Sequence, residues 1–343
     1  MKKIILILTM VVLAAAPVFL QAGIFPKTGT ASLQFLKLGI DARATGMGEA
    51  YTAVTNDISS VYWNPAGLAL IPQQQAFFSH TSWPSDIMHD FVAASYSTGV
   101  SAYAVSASVL HMAPMNVNGE DEFGPTGEKF NYADMAFGFT YASAFTDKFA
   151  FGFTGKYLRE ATAGYAINSY SVDLGSLYNT KWKNLTIGMS LRNFGPDVKY
   201  TIDNDGDGKT DEDPVDLLDN DGDGLIDEDP AELSAKIPMN FSMGVSADLY
   251  RTDTDAWIIS AQLDNCIDRQ ETWNIGTEYK YGSLFARAGY QVNYDTYGPS
   301  FGLGWELATR IAVFDIDYAY TDMGYLGDDF FGNAHRVSLK MKF

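Results

Sequence analysis

The chain has 343 residues, 47% of them hydrophobic and 19% charged, a balance that excludes a disordered protein. A formal net charge of −19 argues against nucleic acid as a partner. The single cysteine, Cys266, rules out an intrachain disulfide and a cysteine-based metal site.

Lys2 and Lys3 precede an apolar run from Ile4 to Leu20, and Gln21-Ala22-Gly23 offers a small-residue cleavage site. This is the pattern of a secretory signal peptide over residues 1–22, with cleavage expected after Ala22. No later apolar stretch reaches about 18 residues, so an exported chain of this kind is either soluble or a barrel.

Residues 23–73 read as helices and loops. From about residue 74 the pattern changes to period two and keeps it to the end. Met135, Phe137, Phe139 and Tyr141 alternate with Ala136, Gly138, Thr140 and Ala142. Leu185, Ile187, Met189 and Leu191 alternate with Thr186, Gly188, Ser190 and Arg192. Large apolar side chains on one face and small or charged ones on the other mark a half-buried strand. The segments fall at 74–82, 88–97, 100–112, 131–144, 147–159, 169–178, 183–194, 239–251, 255–265, 269–281, 283–291, 298–309, 311–321 and 334–343.

About fourteen segments, each roughly ten residues long, predict an all-β, antiparallel transmembrane barrel over 74–343 rather than a soluble sandwich. Sandwich strands are usually shorter, and the Gly, Ser, Asp, Lys and Arg of the inward faces would make a poor sandwich core. Tyr157, Tyr178, Trp182, Trp257, Trp273, Tyr281, Trp305 and Tyr320 belong to an aromatic girdle at the lipid boundary. Short and long connections alternate, which puts the long ones (113–130, 160–168, 195–238, 292–297 and 322–333) outside the cell. An even strand count then predicts both termini on the periplasmic side. The last strand presents Val337, Leu339, Met341 and Phe343 on one face, and a terminal Phe343 resembles the signal read by the barrel assembly machinery.

Two motifs near the expected mature N-terminus carry a family resemblance. One runs Gly39-Ile40-Asp41-Ala42-Arg43-Ala44-Thr45-Gly46-Met47-Gly48-Glu49-Ala50 and on to Asp57; the other is Trp63-Asn64-Pro65-Ala66-Gly67-Leu68. Together they resemble the N-terminal signature of the PorV/PorQ family, which belongs with the FadL-like outer-membrane barrels. The resemblance implies a fourteen-stranded barrel in the outer membrane of a didermic bacterium, with residues 23–73 folded inside as a plug or hatch. Gly46, Gly48, Asn64, Pro65, Ala66 and Gly67 form the plug motif, whose glycines and proline set backbone geometry rather than chemistry. It further implies a non-enzymatic part in type IX protein secretion, with cargo C-terminal domains and secretion or attachment complex proteins as partners beside outer-membrane lipid. The FadL-like relatives imply the alternative, passive transport of hydrophobic small molecules.

The chain departs from both in an acidic insertion over 199–236. Asp203-Asn204-Asp205-Gly206-Asp207-Gly208-Lys209-Thr210-Asp211-Glu212-Asp213-Pro214 recurs as Asp219-Asn220-Asp221-Gly222-Asp223-Gly224-Leu225-Ile226-Asp227-Glu228-Asp229-Pro230. Acids at positions 1, 3, 5 and 9 with Gly at 6 match the first part of a Ca2+ loop. The carbonyls of Lys209 and Leu225 would supply position 7. Pro214 and Pro230 stand where an EF-hand has its bidentate Glu, so Asp213 and Asp229, or a neighbouring acid, would close the shell. A structural Ca2+ stiffening an outside loop is the expectation, against a solvated acidic loop.

No nucleophile elbow, phosphate-binding loop or zinc motif occurs, and no catalysis is expected. His80 and His89 flank the first outside loop, and they and His111 and His335 read as ordinary wall or girdle positions. Asp173, Asp248, Asp315 and Asp317, with Lys156, Arg192 and Lys280, are expected to ion-pair the wall to the plug.

Overall fold

The computed structural model describes residues 29–118, 125–162, 165–200, 233–294, 297–324 and 333–343. The signal segment and the two acidic repeats lie outside the described residues.

The wall begins with β1 (Gln75–Ser82), β2 (Ile87–Ser97) and β3 (Ser101–Met112). A small hairpin, β4 (Met115–Asn118) and β5 (Pro125–Phe130), precedes β6 (Tyr132–Ala144), β7 (Phe149–Thr162), β8 (Tyr165–Asn179) and β9 (Thr186–Phe194). A second hairpin, β10 (Val198–Tyr200) and β11 (Leu233–Ala235), separates β9 from β12 (Asn240–Arg251) and β13 (Asp255–Cys266). The wall finishes with β14 (Thr272–Tyr281), β15 (Leu284–Val292), β16 (Pro299–Ala308), β17 (Val313–Thr321) and β18 (Ala334–Lys342).

Fourteen of these strands form a closed antiparallel barrel in chain order, sealed where β1 pairs with β18 from Gln75–Lys342 to Ser82–His335. Closure removes both edges, so every wall strand finds ladder partners without water, as a bilayer requires. Each wall strand begins and ends within four residues of the segment read from the sequence. The side-chain alternation survives as well. On β6, Ala136, Thr140 and Ala142 are buried inside while Phe137 and Phe139 face outward, about half exposed. Tyr157, Tyr178, Trp182, Trp257, Trp273, Tyr281 and Trp305 are exposed on the outer surface.

One sequence expectation is corrected, and the long connections gain detail: 113–130 and 195–238 each contain a two-stranded hairpin (β4–β5 and β10–β11). The barrel wall does begin and end at one rim, but the chain N-terminal to it does not stay there. Ala31 bridges Lys236 in parallel, and Ser32 N–H donates to the Lys236 carbonyl at 2.9 Å, beside the β10–β11 hairpin at the opposite rim. The segment before β1 therefore runs the length of the lumen.

Inside that segment a 3-10 turn at Gln34–Lys37 is followed by α1 (Ala42–Gly46), α2 (Ser60–Trp63) and a 3-10 turn at Pro65–Leu70. Such short helices cannot stand alone, because nucleation costs more than one or two turns return. Tertiary burial holds them: Ile40, Ile58, Val61, Leu68 and Ile71 pack on Phe77, Phe91 and a stripe of wall alanines. Full burial of each such apolar chain contributes about 1.5–3 kcal/mol relative to exposure to water.

Candidate functional site

The segment over residues 29–73 fills the lumen, so the interface between it and the wall is the site whose geometry decides what the barrel can do. Two local caps shape it. The Asp41 carboxylate caps α1 by accepting from the Arg43 N–H at 3.2 Å. The Asn64 carboxamide oxygen accepts from the Ala66 N–H at 3.2 Å, with Pro65 at the first position of the turn it starts. The Asn64 amide donates to the Thr52 carbonyl at 2.9 Å and to the Ser176 carbonyl of β8 at 3.1 Å. Asn64 thus ties two parts of the plug and the wall together with one side chain.

Opposite the plug backbone the wall carries glycines. A Cβ on Gly152 would stand 2.5 Å from the Pro65 carbonyl carbon, and on Gly175 it would strike the Asn64 side-chain oxygen. On Gly188 it would meet the Thr52 carbonyl, on Gly276 the Met47 carbonyl, and on Gly289 the Gly48 nitrogen. The plug answers in kind. A Cβ on Gly46 would approach Gly302 Cα to 2.9 Å, and Gly48 combines φ +61° with a place beside the Tyr290 amide. Gly67 lies against Thr55 within the plug. Ala66 is fully buried beside Gly152. The plug-motif residues other than Asn64 thus lie at close backbone approaches, plug to wall at Gly46, Gly48, Pro65 and Ala66.

Charge holds one arc of this seat. Lys340 Nζ on β18 lies 2.9 Å from Asp41, 3.0 Å from Asp57 and 3.8 Å from Asp317. Asp57 pairs with Arg43 at 2.9 Å, Arg43 with Glu278 of β14 at 2.8 Å, and Glu278 with Arg287 of β15 at 2.6 Å. Arg287 returns to Asp317 of β17 at 2.6 Å, which closes a six-membered ring of alternating charges with Asp41 as a branch. The plug supplies Asp41, Arg43 and Asp57; four wall strands supply the rest. The cations hold the Asp57 carboxyl far below the usual carboxylate range against its burial, and Glu278 and Asp57 help hold Arg43 charged. Nearby, Arg336 donates to Thr81 at 2.7 Å and also to Thr45 of the plug.

The lumen charges expected to reach the plug mostly do not. Lys156 pairs with Asp173, Asp248 with Arg251, Lys280 with Glu306, and Asp315 with Lys342, all within the wall or its turns. Asp317 reaches the plug indirectly, through Lys340 and through Arg287 by way of Glu278, and Arg192 reaches it by stacking its guanidinium on Tyr62 and Trp63. The physical reason is register. Asp173 faces Lys156 across neighbouring strands, a shorter route to neutralisation than crossing the lumen. Sequence reading missed Glu278, Arg287, Arg336 and Lys340 as plug contacts, although all four stand at inward positions, where charge needs a partner.

The histidines are placed differently from one another. His80 and His111 face outward near the far rim and bracket Asp90 at 2.8 and 3.1 Å. His89 is buried against Ser108, and His335 meets the Tyr318 hydroxyl. Phe343 N–H donates to the Gln74 carbonyl at 3.0 Å beside the closing strand pair, and its side chain is exposed. Cys266 is buried at the end of β13, its thiol on Asp268. Asp203, Asp205, Asp207, Lys209, Asp211 and Asp213, with Asp219, Asp221, Asp223, Leu225, Asp227 and Asp229, lie outside the described residues.

Comparison with known proteins completes the picture. The family model described as "Type IX secretion system protein PorV" matches residues 26–240. No curated protein matches the sequence. Among solved structures, the toluene transporter TbuX of Ralstonia pickettii has 12% identity and a TM-score of 0.55, covering 89% of this chain and 98% of that one. A FadL homologue of Pseudomonas aeruginosa gives 12% and 0.52 over the same shares, and the toluene transporter TodX of Pseudomonas putida gives 10% and 0.54 over 87% and 95%. At these identities the likeness concerns the fold: a FadL-like outer-membrane barrel with its N-terminal segment inside.

Proposed function

The chain belongs to the PorV family of type IX secretion system proteins, and from that membership we propose that it serves secretion as a shut, non-catalytic adaptor. In this reading it receives cargo C-terminal domains at its outer rim and hands them to attachment proteins. The observation that carries the reading is the seating of the plug. Backbone-to-backbone contact at the wall glycines and a buried ring of charges describe a fixed stopper. Two interior spaces between plug and wall, one beside Thr45 and Arg336 and one beside Arg192 and Arg269, are small, each leaving about 10 Å³ for the centre of a water-sized sphere. A cargo chain would have to pass around such a barrel or along its rim.

The test is site-specific photo-crosslinking from the outer rim in cells that secrete a cargo protein. Crosslinks to the C-terminal domain, lost when that domain is deleted, are expected; a secretion defect without any cargo or attachment-protein crosslink would sink the adaptor role.

The alternative, passive transport of a hydrophobic molecule, draws on the fold shared with proteins described as toluene transporters. Mass spectrometry of the purified protein after saturation with toluene or a fatty acid separates the two readings. A stoichiometric bound ligand favours transport.

The acidic repeats extend the adaptor reading. The β10–β11 stem brings both ends of the insertion together at the outer rim, and we assign the repeats a structural Ca2+. Chelation is expected to raise protease cleavage within 199–236; an unchanged pattern defeats the assignment. Residues 1–22 are assigned to a cleaved signal peptide, for which N-terminal sequencing of the mature protein is the check.

A further inference from the structure

Beneath the outer rim the plug and wall enclose a small chamber lined by Trp63, Arg192, Arg269 and Glu49 among others. Its chemistry is lopsided. Arg192 is 7% exposed, its guanidinium stacked 4.9 Å over Tyr62 and 5.4 Å over Trp63, so only its N–H edges are free to bond. Asn240, oriented so that both ends of its amide are satisfied, accepts from Arg192 Nη2 at 2.8 Å. Among the described residues Arg192 Nε and Nη1 then have no hydrogen-bond partner, and neither have Arg269 Nε and Trp63 Nε1. The three residues that carry these four buried donors all line one space.

The two neighbouring acids do not answer them. Asp264 is already occupied, accepting from Gln262 and Asn274 at 2.9 Å and from Ser242. Glu49 lines the chamber on a backbone with φ +61°, and no hydrogen bond or ion pair reaches its carboxylate among the described residues. Unpaired buried donors cost about 1–3 kcal/mol each, more when charged, so a guest that accepts several hydrogen bonds is favoured. A water accepts about two and carries no charge. The room inside is small, about 10 Å³ for the centre of a water-sized sphere, which suits one compact spherical anion.

We propose that this chamber binds a single halide-sized anion, chloride in the first instance, held by Arg192, Arg269 and the Trp63 indole. Glu49 is the internal competitor for the same guanidinium groups. Burial holds its carboxyl above the usual range, while Arg336, Arg192 and Arg269 pull it back and Asp264 pushes it up. Tyr62, Tyr294 and Tyr297 complete the titratable groups facing it. As Glu49 takes up its proton the arginines lose one of their counter-charges, with the hydrogen-bonded Asp264 remaining, so the anion binds more tightly as the pH falls.

The experiment uses the full mature protein in detergent. Thermal unfolding is followed while chloride or bromide replaces gluconate at constant ionic strength, and crystals grown in bromide are measured at the bromine absorption edge. A saturable rise in melting temperature with halide and an anomalous peak between Arg192 and Arg269 are expected. E49Q should tighten halide binding severalfold at neutral pH and remove its pH dependence, whereas R192M should abolish it. The unmodified protein and E49Q keep the test decisive where R192M fails to fold. Equal melting in halide and gluconate, with no anomalous density or with water only in the chamber, would overturn the proposal.

Discussion

Lys340 stands inward on the last strand, fully buried, with three carboxylates within 4 Å of its ammonium. Removing it by Lys340→Met leaves Asp41 and Asp57 in the plug without their shared cation. Breaking a buried pair from one side costs about 3–5 kcal/mol, so urea unfolding in detergent should show a loss of that order. Lys340→Arg should recover part of it, because the charge is kept while the compact geometry is not. Two plug acids respond to pH in opposite senses. Asp57 is held below the ordinary carboxylate range, so its contribution is full above the usual value and lost only as the pH falls through the lowered one. Glu49 is held above that range, so its contribution is full below the usual value and lost as the pH rises through the raised one. As the pH rises from the ordinary carboxylate range through the raised value, stability should therefore fall on account of Glu49, and Glu49→Gln should flatten that slope. A steeper slope in Glu49→Gln than in the unmodified protein would contradict the assignment. Neither carboxylate could be ranked from the sequence, where both look like polar residues in a loop; the burial of one and the cations around the other arise only when distant strands arrive.

At the scale of elements, α1 and the turns of the plug exist because wall strands leave room for them. Gly276 on β14 faces the Met47 carbonyl so closely that any side chain must displace the plug backbone. Gly276→Val should leave the barrel folded and heat-modifiable on gels while exposing residues 29–73 to protease; continued protection would show that the close seat is not required. The outward face obeys a different rule. Phe139 lies near the middle of β6 and faces lipid, about half exposed. Phe139→Arg puts a charge at that depth and should cost about 2–4 kcal/mol of folding free energy in vesicles, whereas Phe145→Arg, in the turn beyond the strand, should cost far less. Strand positions were legible because side chains at i and i+2 share a face, which the sequence writes directly, as in Phe137, Phe139 and Tyr141. The β4–β5 and β10–β11 hairpins were not legible. Met115–Asn118 and Leu233–Ala235 are too short for period two to register, and their pairing depends on what the rim brings together.

For the molecule as a whole, the path of the N-terminal segment is the consequence with the widest reach. The wall starts and finishes at one rim, yet Ala31 and Ser32 lie at the other, clasped to Lys236. With the long connections outside the cell, Thr30→Cys should react with an impermeant thiol reagent on intact cells. Asp147→Cys, in a turn at the opposite rim, should react only after lysis, and the buried native Cys266 should stay silent in both. Labelling of Asp147→Cys alone on intact cells would invert the orientation. The amino-acid sequence by itself determined the wall: strand number, order, lipid-facing side and the membrane as solvent, because alternation is a local property repeated fourteen times. It also marked the plug motif, through glycines and a proline whose geometry is theirs alone. Only the tertiary structure decided which inward charges meet the plug, which wall glycines seat it and at which rim it ends. Those contacts join residues up to 299 positions apart, such as Asp41 and Lys340, and no local periodicity encodes the register in which a closed sheet meets the chain folded inside it.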